Sequence, residues 1–146
     1  MRPDKNPAQT LARLLPAALP SCGNTRLLLF AIRRLGAHGI DDAQATTAFV
    51  TAFGQGFRRP LVLVRSFMRD LATTARTPIT IAPCCCRRVT ASEATLLTVV
   101  ARSETDPGRA GLLLADLLGV QRAGAVLTGA AAISAAFADT GRPIAG

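Results

Sequence analysis

Apolar residues recur through most of this chain at helical spacing, and turn residues cut the pattern into about six segments. Asn24 is a good N-cap for a helix over residues 25–35, and Gly36 fits its C′ position. Arg26, Arg33 and Arg34 fall in one narrow sector of that helix, while Leu27, Leu28, Leu29, Ala31, Ile32 and Leu35 take most of the rest. A helix apolar around most of its circumference is a central one. Asp41-Asp42 caps a second helix over about 42–53, with Ala45, Phe49, Ala52 and Phe53 on one face. Gly54-Gln55-Gly56 breaks it, and Pro60 takes the first position of a third helix whose stripe is Leu61, Val64, Met68, Leu71 and Ala75.

The period then changes. Residues 77–82 alternate and are β-branched, which predicts an extended strap with no partner strand. Thr90-Ala91-Ser92-Glu93 reads as a capping box opening a helix over 91–103, with Ala94, Leu97, Val100 and Ala101 inward. Asp106-Pro107 opens another, ending at Gly119 and burying Leu113, Leu114, Leu117 and Leu118. The last helix, 121–137, is built of small residues and carries no charge between Arg122 and Asp139. It suits the inside of a tight bundle or a homo-oligomer face. The pattern therefore predicts an all-α fold: one globular bundle of about six helices, with a short strap before a cysteine triplet. Leu28, Ile32, Phe49, Leu71, Leu97 and Leu114 are expected in its core.

Residues 1–23 hold Pro3, Pro7, Pro16 and Pro20 and read as a flexible arm, leaving 24–146 as a single helical domain. A chain of 146 residues, 49% of them hydrophobic, is long and apolar enough to bury one core. No apolar run reaches the ~18 residues of a membrane span. Leu19-Pro20-Ser21-Cys22 matches a lipoprotein cleavage site poorly, because Asp4 and the prolines spoil the flanking pattern. A cytoplasmic protein with free thiols is the expectation.

Charge adds a second theme. Sixteen arginines and one lysine give a net charge of +8. That balance favours an acidic protein surface, a nucleic acid or another polyanion as partner, unless it only reflects a GC-rich coding sequence. Arg65, Arg69 and Arg76 align within about 20° over about 16 Å of the third helix. They are anion-binding candidates together with Arg87 and Arg88, against the plainer reading of a solvated face. A helix-turn-helix built from the second and third helices is not expected. Pro60 and Leu61-Val62-Leu63-Val64 would present only aliphatics to base edges.

The candidate chemistry is Cys84-Cys85-Cys86, three of four cysteines, followed by Arg87-Arg88. Two guanidiniums and a helix N-terminus should favour a thiolate, at Cys86 above all. In an extended segment Cys84 and Cys86 would face one side as a two-thiolate pincer. No cofactor is expected, but such a pincer would accept a soft metal such as zinc or copper, or an arsenic-like species. The competing reading is core filling, since free cysteine is among the most buried residue types. Cys22 is expected to behave as an ordinary thiol of pKa about 8.5. His38, the only histidine, is a metal-ligand candidate in a glycine turn or a plain loop residue. With no phosphate loop and no base placed beside a nucleophile, the chain reads as non-enzymatic.

Three phrases also resemble a family. They are the run from Arg26-Leu27-Leu28-Leu29 to Gly36-Ala37-His38-Gly39, then Phe57-Arg58-Arg59-Pro60-Leu61, then Ile81-Ala82-Pro83-Cys84-Cys85-Cys86. Together they resemble an uncharacterised bacterial family of small, basic, Ala/Arg-rich proteins. The resemblance implies a soluble bacterial protein and no activity. Two functions follow from the residues: a binding or regulatory protein with a basic surface, or a thiol-based sensor of soft metals or oxidants.

Overall fold

Six α-helices make up most of residues 17–145, the part of the chain that this computed structural model describes. They are α1 (Gly23–His38), α2 (Ala43–Phe53), α3 (Arg58–Thr74), α4 (Ala91–Arg102), α5 (Pro107–Leu118) and α6 (Gly124–Asp139). A 3-10 turn, Gly54–Phe57, joins α2 to α3. The expected all-α class is the observed one.

Residues 1–16, most of the expected arm, lie outside the described residues. The rest of that stretch joins the fold. β1 (Ala17–Ala18) pairs antiparallel with β2 (Arg88–Val89), Ala17 opposite Val89 and Ala18 opposite Arg88. A two-residue strand is too short to show alternation, so the pairing left no periodic signal.

Helix α1 is the expected hub: Leu28, Leu29, Ala31, Ile32 and Leu35 are all buried. It starts earlier than Asn24 predicts, with Cys22 as N-cap, and Asn24 instead donates to the Pro143 carbonyl. It also runs past Gly36. A Cβ at Gly36 would meet Met68 and Ile81 at 3.6 and 3.7 Å, ordinary contact distances, so this glycine sits in the helix without ending it. The stop passes to Gly39, whose φ of 100° suits glycine and whose N–H reaches Leu35 O.

The first two turns of α3 send Pro60, Leu61 and Val64 into the core, where they cannot face a partner as a recognition helix would. Helix α3 packs most extensively on α6, whose small residues let it approach; Phe67 would lie 3.6 Å from a Cβ at Gly129. All six expected core residues are buried. At one end Phe49, Phe53 and Phe137 meet edge to face, with ring centroids 5.1–6.0 Å apart. The strap lies along the start of α4: Thr80 N–H donates to Ser92 Oγ (3.1 Å), and Thr90 Oγ1 donates to Thr80 O (2.6 Å).

Candidate functional site

The site begins with the capping box of α4. Thr90 Oγ1 accepts the Glu93 N–H at 3.0 Å, and Glu93 Oε1 accepts the Thr90 N–H at 2.8 Å. Glu93 is fully buried, so its charge needs more than a cap. Arg33 supplies it, with Nε to Oε2 at 2.7 Å and Nη2 to Oε1 at 3.0 Å, a fork meeting a carboxylate. Ala82 N–H adds a fourth bond at 3.2 Å.

Arg33 is only 2% exposed, although the sequence places it in an arginine sector apart from the apolar face of α1. Within that sector Arg33 is buried and Arg34 half-buried, while Arg26 stays exposed. The guanidinium also donates from Nη1 to Cys86 O (2.8 Å) and from Nη2 to Arg88 O (2.6 Å). Its pKa is raised first by the hydrogen-bonded Glu93 carboxylate; desolvation opposes this, and the charge of Glu93 adds to it. One buried ion pair thus holds the backbone at Ala82, Cys86, Arg88 and Thr90, on both sides of the cysteine triplet.

Between those anchors the chain turns instead of running extended. Cys86 N–H bonds Pro83 O at 3.0 Å, with Cys84 and Cys85 at the corners. Cys84 and Cys85 are exposed and Cys86 is half-buried, all as free thiols. Core filling is therefore not what the triplet does. The side chains of Arg87 and Arg88, expected to set the local field, are exposed; Arg33 and Arg34 line the cavities that the thiols share. Arg34 grips Asp42 through two bonds of 2.8 and 3.0 Å. That carboxylate raises the Arg34 pKa, desolvation opposes it, and the Cys84 sulfur beside it contributes next.

Two cavities flank the turn. One, about 240 Å³, is lined by Arg26, Leu29, Phe30, Arg33, Cys84 and Cys86 with Leu19. The other, about 300 Å³, includes Arg34, His38, Ile81, Pro83, Cys84 and Cys85 in its wall. Cys84 belongs to both. His38, in the last turn of α1, shares a cavity with Cys84 and Cys85, whereas Cys86 lines the other one. Among the described residues, no three His, Cys, Asp or Glu side chains are grouped to hold a metal ion.

Cys22 departs from expectation. At the start of α1 its thiol is lowered to about 7, chiefly by the Thr25 backbone N–H and then the Thr25 side chain, against desolvation. It forms no full capping hydrogen bond, so the influence is that of nearby donors at a helix start.

The arginine line of α3 does not survive folding. The helix ends at Thr74, Ala75 turns extended, and Arg76 N–H bonds Leu118 O at 2.8 Å. Arg76 shares a cavity with Gly119 and Arg122 instead. Arg65 is half-buried, donating from Nη2 to Thr46 Oγ1 at 2.8 Å, and Arg69 alone of the three stays exposed on the helix. The helix repeat aligned them only as long as the helix was assumed to reach Arg76.

Fold and site together define a small all-helical protein that presents thiols on a clamped turn. Its sequence belongs to a family of unknown function, DUF6628, whose model matches residues 8–110. That match takes in the clamp and the cysteine turn. No curated protein and no solved structure matches the chain. No helix among the described residues is long and apolar enough to cross a membrane.

Proposed function

We propose that this is a small non-enzymatic binding or regulatory protein of the bacterial cytoplasm, and that the cysteine turn is its working surface. The observation that carries the reading is the pairing of exposed thiols with a buried clamp. Ala82, Cys86, Arg88 and Thr90 are fixed by Arg33 and Glu93, while Cys84 and Cys85 remain open to solvent. Thiols that served only as spacer would need no such anchoring. Held in one geometry beside guanidinium groups, they can meet an oxidant or a soft electrophilic ion with little reorganisation.

Rate-resolved alkylation of the folded, reduced protein near neutral pH, read by peptide mass spectrometry, tests this. Cys84 and Cys85 should label early, and Cys86 later because it is half-buried. Cys22 should gain rate as pH rises through about 7, where its thiolate forms. If Cys84 and Cys85 stay unlabelled until denaturant is added, with no bound metal to protect them, the turn is not a working surface.

A further inference from the structure

We infer that Cys84 and Cys86 together form a two-thiolate site for a soft ion of low coordination number, seated against Leu29 and Phe30, with Cys85 outside it. This rests on the reading of the turn as working surface and names what that surface takes.

Cys84 lines both cavities: it shares one with Cys86, alongside Leu29 and Phe30, and the other with Cys85 and His38, while Cys86 lines only the first. Cys86 is tied at both ends of its peptide unit, its N–H to Pro83 O and its C=O to Arg33 Nη1. The backbone that carries Cys86 is thus fixed before an ion arrives, which lowers the cost of ordering the turn on binding. The described walls offer two thiols and no third ligand group of the kind a tetrahedral zinc site demands. Soft thiolates in that number suit monovalent copper or trivalent arsenic. Two thiolates around a monovalent cation leave one negative charge, and Arg26 lines the same wall, whereas Arg33 beside it is already paired with Glu93. Leu29 and Phe30 offer apolar surface beside it.

The chemistry balances without an oxidant. With monovalent copper, two S–H protons pass to solvent and two S–Cu bonds form. With phenylarsine oxide, the As–O bond breaks, two S–As bonds form, and the oxygen leaves as water carrying both thiol protons.

The test titrates the reduced full chain with monovalent copper against a competing chelator, and separately with phenylarsine oxide. It uses wild type, Cys84→Ser, Cys85→Ser and Cys86→Ser. The clamp engages only the backbone of residue 86, so these changes leave it in place. One equivalent of at least one probe should bind wild type. Losing an outer-shell partner alone costs a metal site about 10–100-fold, so losing either ligand should weaken binding by at least about 100-fold. Cys85→Ser should stay within about threefold of wild type, a change smaller than one outer-shell partner makes. If Cys85→Ser loses binding while Cys86→Ser keeps it, the pair is the wrong one and the inference falls, although the turn still works through thiols. If neither probe binds, the inference also falls. Fast alkylation of Cys84 and Cys85 would then preserve the broader reading, and protection of both would end it.

Discussion

Two ends of the molecule are buried by opposite means. Beside the strap, Arg33 and Glu93 lie at 2% and 0% exposure and, besides bonding each other, fix four backbone atoms through directional bonds in one network. At the far end Phe49, Phe53 and Phe137 fill space with edge-to-face rings. The edge-to-face preference of aromatic rings is worth only about 0.5–1.5 kcal/mol, and apolar packing tolerates a change of shape if volume is kept. A buried ion pair does not, because removing one partner strands a charge in a medium that cannot solvate it. The fold demands exact bonding geometry at the ion pair and chiefly filled volume at the three rings. Geometry is demanded under the cysteine turn.

The largest expected effect follows directly. Glu93→Ala should cost about 3–5 kcal/mol, since it leaves the Arg33 charge buried and releases Ala82 and Thr90. Phe137→Ala should cost about the same, through the cavity it leaves. Conservative changes separate the ends. Phe137→Leu keeps most of the apolar volume and should be the mild change. Arg33→Lys should not be mild, because an ammonium cannot reproduce the fork on Glu93 while also reaching Cys86 O and Arg88 O. Denaturant unfolding of the four variants measures this, and equal costs for the two conservative changes would erase the distinction.

Much of this was legible in the chain. The capping box at Thr90–Glu93, the Asp42 cap, the strap and the six core residues follow from local signals, and the structure has them. The clamp was not read, though a trace of it exists. Glu93 precedes Leu96, Leu97 and Val100 at i+3, i+4 and i+7, which puts a carboxylate on the buried face of its own helix. A charge at such a position implies a buried partner of opposite sign. Nothing local names Arg33, because the pairing joins residues 60 apart in sequence. For the same reason the β1–β2 pairing and the shared wall of Cys84 and Cys86 were beyond periodicity, and the Pro83–Cys86 turn, though local, is a single bond with no period to read. The arginine line failed on a boundary: two residues of helix end decided whether Arg76 joined Arg65.

A middle case sharpens the comparison through pH. Asp42 caps α2 through Ala45 N–H and is gripped by Arg34. Its pKa falls from 3.8 to about 2, first through the Arg34 hydrogen bond, with burial opposing and the Ala45 N–H adding to it. A folded value below the unfolded one means the carboxylate contributes stability above the unfolded pKa and loses it as pH falls toward the folded one. Wild type should therefore exceed Asp42→Asn in stability at neutral pH, with the gap closing between about pH 4 and pH 2. Paired denaturant curves across that range check it. A gap that stays constant down to pH 2 would show that the charge on Asp42 does not matter.

The smallest effect belongs to the third ion pair, and it bears on the comparison most directly because its chemistry matches the first. Arg59 Nη1 and Asp139 Oδ2 are 2.8 Å apart, as close as Arg33 is to Glu93, but their side chains are 56% and 61% exposed. Water already solvates both groups, so pairing gains little Coulomb energy and orders two mobile side chains. Breaking the pair strands nothing, since each charge returns to solvent. Arg59→Ala should cost about 0.2–1 kcal/mol at low salt, with the coupling to Asp139→Ala in a double-mutant cycle no larger. Salt near 1 M, where the screening length is about 3 Å, should remove most of that coupling. The coupling across Arg33 and Glu93 should persist in the same salt, because the ions cannot enter. If the exposed pair couples as strongly as the buried one, or if salt weakens both alike, burial is not what separates them, and the rigidity assigned to the cysteine turn loses its physical basis.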